Sequence, residues 1–131
     1  MLDAVTGRED PRPVMAVAVD DRGVVRLTWA TGLHITEHHA TAAMQLVDRV
    51  NDGTERPLLV DMAGTASLAR PARMVFGRRC SASRIALLGK SPVDRVIANF
   101  ALGVSAVPVP TRFFTSEPLA MAWLCRDDVG A

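Results

Sequence analysis

Tyrosine is absent from this chain, lysine occurs once, and cysteine and tryptophan occur twice each. Each scarcity excludes something. Without Tyr, and with no interleaving of basic and aromatic residues, the stacking platform of single-stranded nucleic acid binders has no basis, so no nucleic acid partner is expected. Cys80 and Cys125 can close one bridge at most, and a chain able to build a full apolar core does not need it. Both read as reduced thiols packed as small hydrophobes. No apolar run approaches the roughly 18 residues that cross a bilayer. The N-terminal "MLDAVTGREDPRP" has neither the basic nor the apolar region of a signal peptide. The expectations are no membrane span and a cytoplasmic location.

Catalytic and cofactor signatures are equally scarce. Gly89-Lys90-Ser91 follows an apolar run, where a phosphate loop would put it. That loop also needs a glycine five positions before Gly89, so that backbone N–H groups can curl round the phosphates. The position holds Arg84, and "IALL" between them is strand, so the nucleotide reading fails on spacing. "ASLAR" is not a Gly-x-Ser-x-Gly elbow. His34 and His38 are four apart, but the helix start at Ile35–Thr36 falls between them, so they do not share a helix face and no metal set is legible. No catalytic residue, cofactor or metal ligand is assigned.

What is present is one ordinary domain. Of 131 residues, 49% are hydrophobic and 22% charged, which is average globular usage. A chain of this length buries about two-thirds of the surface of its unfolded form. Residues 1–13, polar with two prolines, read as a loose leader; 14–126 form the domain and 127–131 a tail.

Charge is uneven along the chain. Residues 1–67 carry 6 bases and 10 acids, 68–95 carry 7 bases and 1 acid, and 96–131 carry 2 bases and 3 acids. The middle surplus is Arg70, Arg73, Arg78, Arg79, Arg84, Lys90 and Arg95 against Asp94. It is either a solvated face balanced in space by acids from elsewhere or a surface for an anionic partner.

Val-rich runs at 14–19 and 24–29, joined by "DDRG", predict a β-hairpin with Gly23 in the left-handed turn position. A helix starts at Thr36, with Ala40, Ala43, Met44, Val47 and Val50 inward, and Gly53, just after Asn51 and Asp52, ends it. "PLLVDM" (57–62) suits a strand buried on both faces. Residues 68–79 read as a helix with Pro71 in its first turn and an N-cap near Ser67 or Ala69. "RIALLG" is a strand. "SPVD" then opens a helix, with Ser91 as N-cap, Asp94 at N3, and Val93, Val96, Ile97, Phe100 and Val104 on one face. "PVPTRFFTS" is a strand whose prolines confine it to the start or edge. The final helix starts at Glu117, capped by Ser116, with Leu119, Ala120, Trp123 and Leu124 inward. The order β-β-α-β-α-β-α-β-α implies a single-layer mixed, largely parallel sheet of four or five strands with four helices.

Three stretches, "PLLVDMAGTASL", "ALLGKSPVDRVIANF" and "RFFTSEPLAMAWL", together with this order resemble the STAS-like, or SpoIIAA-like, superfamily of anti-sigma-factor antagonists. The chain looks closest to small relatives of unassigned role that are also likened to CRAL-TRIO lipid-binding domains. The resemblance implies a small regulatory or ligand-sensing domain that works by binding. It departs from the family at one point. The Asp-Ser pair that carries the antagonists' phosphorylatable serine has no counterpart in "MAGTASLAR".

The leading expectation is therefore a non-enzymatic module with a protein partner at Arg70, Arg73 and Arg78. The alternative is a binder of a small apolar or amphipathic ligand. Lys90, Ser91 and Arg95 form a candidate weak anion site at a helix start. Asp61, at the carboxyl end of the buried strand, is a candidate ligand-edge residue, with loop bracing as its competing role. A homodimer is compatible with so small a sheet.

Overall fold

The computed structural model describes residues 14–78, 80–102 and 109–126. The opening hairpin pairs β1 (Met15–Val19) antiparallel with β2 (Val25–Trp29). Its turn is built from Asp20, whose carboxylate accepts from the Arg22 and Val24 N–H groups, and from Gly23 at φ +81°. β2 then pairs in parallel with β4 (Arg56–Asp61), β4 with β6 (Ala82–Leu88), and β6 with β7 (Thr111–Phe114). The five-stranded sheet runs β1-β2-β4-β6-β7, mixed only at the hairpin.

Four helices connect or cover these strands: α1 (Glu37–Asn51), α2 (Arg70–Phe76), α3 (Pro92–Leu102) and α4 (Glu117–Leu124). α1, α2 and α3 pack on one face, against Val25, Leu27 and Trp29 of β2 and Leu58 and Val60 of β4. Neighbouring strands in chain order with their helices on one side are what right-handed crossovers produce. α4 alone covers the other face, where Leu59, Ala86 and Leu88 meet Ala120, Met121, Trp123 and Leu124. β4 and β6 are thus covered on both sides, as the continuous apolar run of "PLLVDM" requires.

Two short strands that the periodicity does not predict, β3 (His34–Ile35) and β5 (Ser67–Leu68), pair in parallel beside the main sheet. They hold the start of α1 and the start of α2 together. β5 takes Leu68 out of the predicted 68–79 helix. α2 begins instead at Arg70, with Ala69 at the N-cap making no side-chain cap bond, and its C-cap is Gly77. A register shift between β4 and β6 near Arg56 and Leu58 turns Ala82 into the α1–α3 core although Ala86 faces α4.

The capping chemistry matches the sequence expectations with one substitution of residue type. Thr36 caps α1 and His39 stands where a capping box usually has Glu: the Thr36 N–H donates to His39 Nδ1 (3.1 Å) and the His39 N–H to Thr36 Oγ1 (3.2 Å). At the other end Asp52 takes the left-handed conformation at φ +46°, followed by Gly53. Ser116 caps α4 by accepting from the Leu119 N–H.

Two helix faces are rotated from expectation. In α3 the buried residues are Asp94 and Ala98, while Val93 and Val96 are 60% and 66% exposed. The cause is the buried capping carboxylate, which pins the side of the helix at Asp94, Ala98 and Ala101 inward at i, i+4 and i+7. Val104 lies outside the described residues. In α4 Met121 takes the inward place expected of Leu119, which is 64% exposed.

Candidate functional site

The carboxyl ends of β4 and β6 are where an open α/β sheet places its ligands, and here they are closed by Asp94. Its carboxylate, 1% exposed, accepts from three backbone N–H groups: Gly64 (3.2 Å) on one oxygen, Lys90 (2.7 Å) and Ser91 (3.2 Å) on the other. Ser91 Oγ accepts in return from the Asp94 N–H at 3.1 Å, completing a capping box. Burial opposes ionisation of this group, but the Lys90, Ser91 and Gly64 bonds outweigh it and hold the carboxyl below the ordinary 3.8. The loop after β4 and the loop after β6 are thereby tied to one side chain.

The glycines of these loops fit that closeness. A Cβ on Gly89 would lie 2.7 Å from Asp94 Cβ and 2.8 Å and 2.9 Å from the Phe113 ring. Gly64, at φ +76°, would bring a Cβ to 2.8 Å from the Thr31 methyl.

Of the predicted anion site, Lys90 and Arg95 are exposed, and the Lys90 and Ser91 N–H groups point at Asp94. Arg95 lies over the Phe113 ring, its guanidinium carbon 4.8 Å from the centroid. Asp61 is half-buried and accepts from the Ala63 N–H at 3.2 Å, which braces its own loop.

The three arginines of the predicted partner surface have different surroundings. Arg70, at the first turn of α2, and Arg78, just beyond its end, are exposed. Arg73 is half-buried: its guanidinium carbon sits 4.0 Å from the Phe100 centroid, and its buried Nε has no hydrogen-bond partner among the described residues. It therefore locks α2 to α3 as well as contributing charge. Arg84 belongs to the opposite face, where it donates to the Trp123 carbonyl and lies over the Trp123 ring. Among the described residues no carboxylate pairs with Arg70, Arg73, Arg78, Lys90 or Arg95; the ion pairs found there join Arg26 to Asp20 and to Glu117. The same two helices expose three large apolar side chains, Met74 on α2 and Val93 and Val96 on α3.

Two arrangements escape sequence reasoning. His34 Nδ1 and Ser67 Oγ share a hydrogen bond of 2.6 Å, because β3 and β5 place the two residues in register. Two-residue strands leave no periodic signal. The second is a pocket of about 80 Å³, partly open to solvent, between the sheet and the α1–α3 face. Among the described residues its wall is apolar apart from Thr65, Cys80 and Thr111. Burial pushes the Cys80 thiol up from its ordinary 9.0; a bond from the Ala82 backbone opposes this, and the charges of Asp48 and Glu55 add to it. The group is protonated at neutral pH. Among the described residues no three His, Cys, Asp or Glu side chains gather as a metal site would need, and no helix is long and apolar enough to cross a membrane.

No functionally curated protein matches the chain. A solved structure from Shewanella loihica PV-4, an uncharacterized protein of the DUF3478 family described as having a SpoIIAA-like fold, aligns over 91% of this chain and all of its own with a TM-score of 0.59 at 19% identity. That likeness establishes the fold as SpoIIAA-like, in agreement with the resemblance read from the three stretches. A protein of unknown function from Arthrobacter sp. FB24 shares 56% identity over 82% of this chain and 90% of its own, with a TM-score of 0.36. The model of a domain of unknown function, DUF7793, matches residues 18–126, and the chain belongs to that family.

Proposed function

We propose that the protein is a non-enzymatic binding module of SpoIIAA-like fold, and that the surface of α2 and the start of α3 docks an acidic segment of a protein partner. One observation carries this reading: five cations of α2, its end and the start of α3, Arg70, Arg73, Arg78, Lys90 and Arg95, lack carboxylate partners among the described residues, and the same two helices expose Met74, Val93 and Val96. Surfaces kept only for solubility mix charges of both signs. Charges of one sign together with exposed apolar side chains on the same two helices are instead what an interface uses: apolar groups to desolvate and charges that steer.

That no catalytic constellation is assembled among the described residues supports the non-enzymatic half. The His34–Ser67 pair is a hydrogen bond between nucleophile and base types, but among the described residues no third group orients the other nitrogen of His34. A nucleophile needs that orienting group and an oxyanion site nearby. Asp61 and Asp94, the carboxylates nearest the sheet's carboxyl edge, are engaged with backbone N–H groups.

The test is quantitative affinity capture from lysate, comparing the wild type with Arg70→Glu/Arg78→Glu. Arg73 is left intact because its stacking on Phe100 is structural. The reading expects a partner whose capture weakens about ten-fold or more on charge reversal and also with rising salt. A set of partners unchanged by the double substitution would show that this surface is the wrong one.

A further inference from the structure

We infer that the outer edge of β1 pairs with the same edge of a second copy of this chain, antiparallel and centred on Val17, making a two-fold dimer. β1 ends the sheet, with β2 on one side only. Hydrogen-bonded residue pairs alternate along an antiparallel ladder. Here the Ala30 N–H donates to the Val14 carbonyl (2.9 Å) and the Asp20 N–H to the Val24 carbonyl (2.9 Å). With the register that sets Ala16 opposite Thr28 and Ala18 opposite Arg26, the even-numbered residues of β1 turn their N–H and C=O groups to β2. Met15, Val17 and Val19 turn theirs away from the sheet, and among the described residues no backbone group meets them. An edge strand is ordinarily guarded by a lysine, a proline, a bulge or a covering segment. β1 reads MAVAV, without charge or proline, and its register with β2 is regular.

A second copy is the occupant because the strand is self-complementary. Turned antiparallel about Val17, each outward N–H of one copy meets an outward C=O of the other. Val17 then faces Val17 of the second copy, Met15 faces Val19, and Ala16 faces Ala18. Val19, 40% exposed, is covered by a methionine side chain. The exposed Ala16 and Ala18 meet where side chains come closest, and neither bulk nor charge opposes them. Residues 1–13 of the same chain supply a poorer strand, since Pro11 and Pro13 offer no N–H and Arg8, Glu9 and Asp10 carry charge. Pairing β1 with the β7 edge of another copy is head-to-tail and leaves an edge open at each end, whereas β1 on β1 closes with two copies. The inference is independent of the docking surface, which lies on α2 and α3.

Two five-residue strands make a contact about 17 Å long, far below a standard interface, so the dimer is expected to dissociate at roughly 10–100 µM. Sedimentation velocity of the full chain across that range should show a monomer–dimer equilibrium, and the Met15, Val17 and Val19 amides should gain protection from hydrogen exchange as concentration rises. Ala16→Glu/Ala18→Glu, at sites exposed in the monomer, sets like charges opposite each other across the two-fold and should weaken the dimer at least ten-fold. Ala16→Lys/Ala18→Glu sets opposite charges there and should restore it. Arg70→Glu/Arg78→Glu should leave it unchanged, which separates this edge from the docking surface. A monomer at every concentration overturns the inference, as does assembly that runs past the dimer, or a dimer that the two β1 variants affect equally or not at all. Outward amides protected equally at all concentrations also overturn it, since that would place another segment of the same chain on the edge.

Discussion

An alanine at position 89 would set its Cβ 2.7 Å from Asp94 Cβ and under 3 Å from the Phe113 ring, and neither neighbour has room to yield, since the first is pinned by its hydrogen bonds. Gly89→Ala should therefore cost about 2 kcal/mol in urea unfolding, with the slope of the transition unchanged. Asp94 carries a pH signature of its own. Its folded carboxyl titrates below the unfolded 3.8, so the stability it supplies is fully present above about pH 4 and is lost as pH falls through the folded value. Asp94→Asn should cost about 3 kcal/mol at neutral pH, because an amide offers one acceptor oxygen to three N–H donors. The variant should also flatten the acid limb of the stability profile below about pH 4; an acid limb identical to the wild type would assign the titration to another carboxylate. The role of Asp94 at N3 was legible from "SPVD", since capping is a local matter. Its bond to Gly64 was not, because that contact spans thirty residues and depends on how two loops meet.

α3 shows what local pattern can and cannot decide. Its start and capping box follow from Ser91, Pro92 and Asp94 alone, but its orientation does not. Five apolar residues, Val93, Val96, Ile97, Phe100 and Val104, define a stripe by spacing, yet the buried carboxylate turns the helix so that Val93 and Val96 face solvent. A polar residue directed inward is one case in which a hydrophobic count picks the wrong face. The rotation makes a clear prediction. Val96→Ser should change stability by no more than about 0.5 kcal/mol, as at an exposed site. Ala98→Ser, which buries a hydroxyl at a position 0% exposed, should cost about 1–2 kcal/mol. Comparable losses for the two in thermal melts would restore the stripe that spacing suggests. The strands β3 and β5 mark the other limit of legibility, since two residues carry no period to read.

At the scale of the molecule, the sequence resolves the sheet, its four helices and their order, because alternating patterns and turn residues repeat the same message along the chain. It also locates the basic surplus by segment. Folding then divides that surplus: Arg84 goes to the α4 face, while Arg70, Arg73, Arg78, Lys90 and Arg95 stay with α2 and α3. The pocket between the sheet and α1–α3 has no sequence signal, since most of the described residues that line it read as ordinary core. The proposed docking surface has a convenient chemical label, for Lys90 is the chain's single lysine. Zero-length carbodiimide coupling of the protein with its captured partner, followed by mass spectrometry of the joined peptides, reads the surface directly. The account predicts amide links between Lys90 and aspartates or glutamates of the partner, lost in Arg70→Glu/Arg78→Glu at equal protein concentration. Links that run only from this chain's own acids, such as Asp52 or Glu55 at the end of α1, to lysines of the partner would contradict it.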